Sequence, residues 1–147
     1  MSKFPTNEER LALSGAQEIL DFATEQFASM TKFSNDGIVC SYNIPKKFLG
    51  ITVGCENQCI VGRMITPSEL TAMSHYVRSS TFPINRIPAS ELPVRLKDHR
   101  DLLKSLQLVH DTHDHWDDHG FIGWDQLAKV AHGYHLSDTK IRAKGGF

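Results

Sequence analysis

The spacing of the apolar residues changes twice along this chain of 147 residues, and this change limits the possible folds more than any other feature. Residues 12–30 keep apolar side chains on one helical face, whereas residues 38–44 alternate apolar and polar side chains as a half-buried strand does. The helical spacing returns at residues 92–109, where leucines form a stripe. We therefore expect an α+β fold with a long N-terminal helix over residues 7–30, a small three-stranded antiparallel sheet and a helical C-terminal half.

The strands of the expected sheet are assigned from short apolar segments and turn residues. Residues 38–44 follow a turn signal, Ser-Asn-Asp-Gly, and Pro45 is expected to end this strand. Residues 48–54 and 59–65 flank a short polar piece, which is typical of a hairpin. Cys55 and Cys59 lie at the strand ends, where small apolar residues are common; a zinc knuckle is the weaker alternative.

Two capping boxes predict where helices begin. Thr6 precedes Glu9 by three residues, and Thr66 precedes Glu69 by three residues, with Pro67 at the first helical position. We expect the first helix to begin at Asn7 and the second to run from Pro67 to about residue 78.

Length and composition favour one domain over residues 1–147, because 40% of the residues are apolar and can form a core. The formal net charge of −1 argues against a basic surface over the whole molecule, although a local basic patch remains possible. No apolar run approaches the ~18 residues that a membrane span needs, and the N-terminus lacks the apolar core of a signal peptide. With an odd number of cysteines, these features predict a cytoplasmic protein with reduced thiols and no membrane contact.

Residues 110–120, HDTHDHWDDHG, contain four histidines and four aspartates. We expect the helix that begins near residue 90 to continue to Gly120. The aspartates would then lie at its C-terminal end, where the helix dipole disfavours each carboxylate by roughly 0.3–1 kcal/mol. One interpretation is a solvated helix end, in which protonated histidines or a basic side chain such as Arg100 or Lys104 offset the carboxylates.

A divalent metal such as zinc is the second interpretation of the same residues. His115 and His119 are four residues apart, so on a helix both imidazoles could reach one ion. Asp111 and Asp118 would project near that face and complete the ligand set. These four side chains are the candidate metal ligands, and the solvated helix end remains the alternative.

Residues 106–115, LQLVHDTHDH, resemble the apolar run and the His-Asp pair of the HD-type metal-dependent phosphohydrolases. The resemblance implies bound metal that activates water against a phosphate ester. That family is all-helical, whereas the N-terminal half of this chain predicts strands. The ligands that the resemblance implies are His75, His110, Asp111, and either Asp125 or Asp138.

Residues 124–144 predict a helix-turn-helix unit. Gly133 would lie in the turn, Ser137 would cap the second helix, and Ile141 would face inward. From Gly120 onward, four basic residues stand against two acidic ones, a local charge of +2. Two short packing helices with no binding role are the alternative. The residues expected to contact DNA or a protein partner are Lys140, Arg142 and Lys144.

These patterns predict a small binding or regulatory protein that acts through a protein or nucleic-acid partner, with the C-terminal helices as its contact surface. The alternative is a metal-dependent phosphohydrolase or nuclease that uses the residues of segment 110–119. No glycine-rich nucleotide loop and no serine or cysteine nucleophile motif is visible, so the sequence leaves open whether the protein is an enzyme. Its oligomeric state is open as well.

Overall fold

The structure, a computed structural model, describes residues 5–30, 45–48, 51–55, 60–73 and 88–147. Helices dominate this part of the chain, and none of them is long and apolar enough to cross a membrane. The α-helices are α1 (Asn7–Leu11), α2 (Ala16–Ser29), α3 (Pro67–Ala72), α4 (Val94–Lys97), α5 (Arg100–Asp111), α6 (Trp124–Gly133) and α7 (Thr139–Gly145). The strands are β1 (Pro45–Phe48), β2 (Ile51–Cys55), β3 (Trp116–Asp117) and β4 (Gly120–Phe121).

The expected long N-terminal helix is wrong, because the chain breaks between α1 and α2. The capping box at its start is confirmed: Oγ1 of Thr6 accepts a hydrogen bond from the Glu9 N–H at 3.1 Å. A second helix start follows at Gly15, whose N–H donates to the Glu18 carboxylate at 3.0 Å. The side chains of Arg95 and His99 hydrogen-bond to the carbonyls of Leu13 and Ser14, so tertiary contacts stabilise the break between the two helices.

The expected three-stranded sheet is also wrong. β1 and β2 form a two-stranded antiparallel hairpin, and Pro45, which was expected to end a strand, is the first residue of β1. Proline is tolerated there because a strand's first residue does not have to donate to the ladder. The segment 60–65 is a turn followed by a 3-10 helix (Gly62–Met64), with every residue buried. An apolar run without alternation does not by itself distinguish a strand from other buried backbone. The strand predicted at residues 38–44 lies outside the described residues.

The capping box at the start of α3 is confirmed. The Thr66 N–H donates to Oε1 of Glu69 at 3.0 Å, and the Glu69 N–H donates to Oγ1 of Thr66 at 3.1 Å. α3 is described as far as Ala72, so the end predicted near residue 78 lies outside the described residues.

The helix expected from residue 90 to Gly120 is wrong at both ends. A 3-10 helix (Ala89–Glu91) and α4 precede α5, and α5 ends at Asp111. The hydroxyl of Thr112 bonds back to the Leu108 carbonyl at 2.7 Å, after which the backbone is extended. A second 3-10 helix (His113–His115) leads into the β3–β4 hairpin. Gly120 has a φ of 127°, a conformation that suits glycine in a tight turn, and so it serves the hairpin and not a helix end.

An aromatic cluster attaches this hairpin to the helices. Phe27 of α2 stacks on Phe121 at a ring distance of 4.4 Å. Phe121 also meets Trp116 at 5.1 Å and Trp124 at 4.8 Å, both edge-on. The indole N–H of Trp116 donates to the His110 carbonyl at 2.8 Å. The cluster therefore packs α2, the end of α5, the hairpin and the start of α6 into one core.

Two arginines are buried, Arg10 on α1 and Arg63 in the 3-10 helix that follows the turn at residues 60–61. Arg10 donates to the Ile65 carbonyl at 2.8 Å, and Arg63, only 1% exposed, donates to Oε1 of Gln26 at 2.7 Å. Burial, and to a smaller extent the charge of Arg10, lower the pKa of Arg63 to about 10. The apolar pattern of the sequence did not predict these positions.

The turn between α6 and α7 is a Schellman motif built on a histidine. The Leu136 N–H bonds to the Ala131 carbonyl at 2.8 Å, and the His135 N–H bonds to the His132 carbonyl at 3.1 Å. His135 has a φ of +57°, the left-handed conformation that glycine usually supplies. Gly133, expected in the turn, is the last residue of α6.

We expect His135→Gly to raise the free energy of unfolding by about 0.5–1 kcal/mol. The left-handed conformation costs a side-chain-bearing residue roughly 1–2 kcal/mol, and the larger entropy of glycine in the unfolded chain offsets part of that gain. Urea denaturation of the variant and the wild-type protein measures the difference. A loss of stability would mean that the exposed imidazole makes a contact worth more than the conformational cost.

Candidate functional site

The four candidate metal ligands lie on different local structures. Asp111 ends α5, His115 belongs to the 3-10 helix, and Asp118 and His119 form the tip of the β3–β4 hairpin. Because residues 112–121 are not α-helical, the i, i+4 geometry expected for His115 and His119 is wrong. Among the described residues, no group of three or more His, Cys, Asp or Glu side chains is placed to hold a metal ion. Metal binding by these four residues stays a prediction.

His110 and Asp111 form part of a buried polar network. Nδ1 of His110 lies 2.8 Å from Oδ1 of Asp111, and the Gln107 amide donates to the same oxygen at 2.8 Å. An ionised carboxylate only accepts hydrogen bonds, so Nδ1 carries the proton. Oε1 of Gln107 in turn accepts from the Val61 N–H at 3.3 Å. The Gln107 amide and the His110 Nδ1–H offset the charge of Asp111 at the helix end. Gln107 also connects α5 to segment 60–65 through its bond with Val61.

Of the other residues named by the phosphohydrolase resemblance, neither Asp125 nor Asp138 joins this pair in the described structure. His75 lies outside the described residues. Asp125 is exposed on α6, and Asp138 is hydrogen-bonded in the turn before α7. The His110 ring is buried and hydrogen-bonded to the partly exposed Asp111, and metal binding by this pair stays a prediction.

In His115, one ring nitrogen forms a hydrogen bond within the protein, and the other forms none with the described residues. Nδ1 lies 2.8 Å from the Val109 carbonyl, which can only accept, so Nδ1–H is the donor; Nε2 is an acceptor in the neutral ring and a donor in the imidazolium form. The ring meets Phe121 edge-on at 6.4 Å and lies directly beside Gly123. The imidazole is therefore held in one orientation and one tautomer.

A groove of about 510 Å³ runs between α5 and α6 and includes His115 in its lining. Its apolar walls are formed by Leu108 and Val109 from α5 and by Val130 and Tyr134 from the other side. Leu108 is 70% exposed and adds apolar surface to this wall. The sequence analysis missed this groove. Leu108 lies off the leucine stripe of this helix, and that position could have indicated an exposed apolar surface.

The C-terminal helix pair is present as predicted, and Ile141 is buried at 1% exposure. Asp138, rather than Ser137, occupies the N-cap position of α7. Ser137 lies one residue earlier, where its hydroxyl accepts from the Thr139 N–H at 3.3 Å. Lys140 is exposed on the outer side of α7.

Two of the three predicted contact residues already form ion pairs. Nε of Arg142 bonds to Oδ2 of Asp138 at 2.8 Å, and Nζ of Lys144 lies 3.3 Å from the Glu25 carboxylate. Nε2 of His132 lies 2.7 Å from the same Asp138 oxygen. Hydrogen bonds from His132 and then Arg142 hold the pKa of Asp138 below its usual value. Their stabilising effect is present above that usual value and is lost as the pH falls through the lowered one.

Two features of the described structure are candidates for binding: the exposed basic residues of α7 and the groove between α5 and α6. The first is basic and exposed, and the second is apolar with a held imidazole. No protein-family model, no curated protein and no solved structure matches this chain.

Proposed function

We propose that this protein binds duplex DNA through the α6–α7 pair and acts as a small regulatory protein. The observation that carries the proposal is the placement of α7. Its inner residue, Ile141, is buried, whereas Lys140, Arg142 and Lys144 are exposed. Helix-turn-helix proteins present their second helix to the major groove in this manner.

The turn and the neighbouring helices favour a rigid arrangement of α6 and α7. The Schellman hydrogen bonds end α6, and the Asp138 carboxylate links His132 to Arg142 across the turn. Both α6 and α2 pack against α7. Because two helices already hold α7 in place, it can bind DNA without the loss of conformational entropy that ordering a free segment would cost.

The ion pairs of Arg142 and Lys144 do not count heavily against phosphate binding. Both pairs are solvent-exposed, with 49% and 39% of the two basic side chains accessible. Exposed pairs contribute only about 0–1 kcal/mol, so a phosphate can replace the carboxylate at small cost. Lys140 forms no ion pair with any described residue and is available from the start.

Carboxylates outside the helix pair restrict the approach of DNA. Asp114, Asp117 and Asp118 are exposed in the 3-10 helix and the hairpin that precede α6. They would repel phosphate, so α7 has to meet the duplex with this acidic segment turned away. The proposal therefore places the contact on one side of the molecule.

Fluorescence anisotropy with a labelled random-sequence duplex tests the proposal. We expect a nonspecific dissociation constant of ~10⁻⁴–10⁻⁶ M that weakens steeply with salt, because each neutralised phosphate releases counterions. Lys140→Ala and Lys144→Ala should each weaken binding and reduce the slope of log affinity against log salt by ~0.9. Lys97→Ala removes an exposed lysine from α4 and serves as the matched control, with no change in slope.

Two results would contradict DNA binding. The first is no anisotropy change at low salt with protein in the tens of micromolar range. The second is an equal effect of Lys97→Ala and Lys140→Ala, which would indicate diffuse charge attraction without a defined surface. If DNA does not bind but a protein partner is lost on Lys140→Ala, the helix pair is a protein-binding surface instead.

A further inference from the structure

We infer that the groove between α5 and α6 binds a small organic carboxylate that has an apolar or aromatic body. Binding there does not depend on whether α7 contacts DNA. The groove combines three properties of a ligand site: a concave shape, apolar walls and a few polar groups held in place.

The walls select the body of the ligand. Leu108, Val109 and Val130 offer aliphatic surface, and Tyr134 adds an aromatic ring at one end. The Tyr134 hydroxyl is hydrogen-bonded to the Ser105 hydroxyl at 3.2 Å, which joins that ring to α5. A volume of about 510 Å³ lies within the usual range of small-molecule sites.

The polar groups select the charge of the ligand. Lys129 supplies an ammonium group, and His115 supplies a ring whose Nδ1 is held by the Val109 carbonyl. Nε2 of His115 makes no hydrogen bond with the described residues; in the imidazolium form it donates a hydrogen bond to a carboxylate, while Nδ1–H keeps its bond to the Val109 carbonyl. The described lining residues include no aspartate or glutamate, so among them a carboxylate meets attraction without repulsion.

The inference is tested with 3-phenylpropanoate as the probe, followed by two-dimensional amide NMR of the whole protein. We expect saturable shifts at the amides of residues 115, 129, 130 and 133, with a dissociation constant in the millimolar range that a ligand of this size can reach. Two further probes separate charge from apolar contact. 3-Phenylpropanamide should bind about three- to tenfold more weakly because it is neutral, and acetate should not shift these amides because it has no apolar body.

The chain offers a matched pair of variants at Gly133. This glycine lines the groove, and a Cβ added there would meet no atom within 4 Å. Gly133→Leu should block probe binding by filling the space, whereas Gly133→Ala adds one methyl group and should retain it. Both changes favour helix at the end of α6, so the melting temperature should hold or rise, which excludes unfolding as the cause.

Lys129 tests the charge preference separately. Lys129→Met keeps the length of the side chain and removes its charge, so affinity for 3-phenylpropanoate should fall about three- to tenfold while that for the amide stays the same. Lys129→Arg should restore the preference for the carboxylate. Absence of saturable shifts, equal affinity for carboxylate and amide, or unchanged binding to Gly133→Leu would each overturn the inference.

Discussion

Gly123→Ala is expected to lower the free energy of unfolding by about 1–3 kcal/mol, the usual cost of forcing an extra carbon into a filled site. A Cβ at this position would lie 2.8 Å from both Cβ and Cγ of His115 and 2.9 Å from Cζ of Phe121. The backbone at Gly123 has a φ of −84°, which any residue adopts, so the cost is steric and not conformational. Urea denaturation followed by circular dichroism measures it.

Gly133→Ala is the control for this prediction, because it makes the same chemical change at the other end of the same helix. The added Cβ meets open space there, so stability should hold or rise by up to about 1 kcal/mol. Opposite signs for the two variants would show that contact with His115 and Phe121 sets the cost. A loss of less than about 0.5 kcal/mol for Gly123→Ala would mean that the His115 ring can move aside, and would contradict the single orientation assigned to it.

Local sequence signals predicted the elements whose boundaries depend on local chemistry. The capping boxes at Thr6 and Thr66 need only a side chain and an amide three residues apart, and both are present. The burial of Ile141 follows from its position on a short amphipathic helix. In each case, the residues that determine the structure are neighbours in the sequence.

The histidine and aspartate segment shows where one local signal was given too much weight. The helical spacing of the leucines favoured a helix as far as Gly120, yet Asp117 to Gly120 also form a tight turn between the aromatic residues Trp116 and Phe121. The His119 N–H bonds to the Asp117 side chain at 2.8 Å, an interaction that aspartate favours in turns. Apart from Asp111, the aspartates of this segment are not in an α-helix, so the unfavourable interaction expected at an α-helix end does not arise for them.

The break in the N-terminal helix has a local signal, the cap formed by Gly15 and Glu18, that the sequence analysis did not use. Ser14 and Gly15 weaken a helix only modestly, and the apolar spacing continues through them. Besides the local cap at Gly15 and Glu18, contacts from residues more than 80 positions away stabilise the break: Arg95 donates to the Leu13 carbonyl, and His99 lies 2.9 Å from the Ser14 carbonyl. Such long-range contacts cannot be predicted from the spacing of one segment.

Arg95→Ala is therefore expected to cost about 2–4 kcal/mol, more than a surface ion pair provides. The guanidinium makes two bonds to Glu69, at 3.1 Å from Nε and 2.6 Å from Nη2. It also donates to the Leu13 carbonyl at 3.2 Å and to the Met64 carbonyl at 2.6 Å. The side chains of Arg95 and Glu69 are only 12% and 20% exposed, so removal of the arginine leaves a carboxylate and two carbonyls with little access to water.

Two further variants distinguish this junction from an ordinary ion pair. Arg95→Lys keeps the charge but cannot reproduce the planar fork that reaches Glu69 and both carbonyls, so most of the loss should remain. Glu69→Gln keeps an acceptor for the Thr66 N–H and should cost less than Arg95→Ala. Denaturation at about 1 M salt completes the test, because salt screens exposed pairs far more than half-buried ones. If Arg95→Ala loses under about 1 kcal/mol, or if Arg95→Lys recovers full stability, the junction acts as a surface charge pair and something else holds the break between α1 and α2.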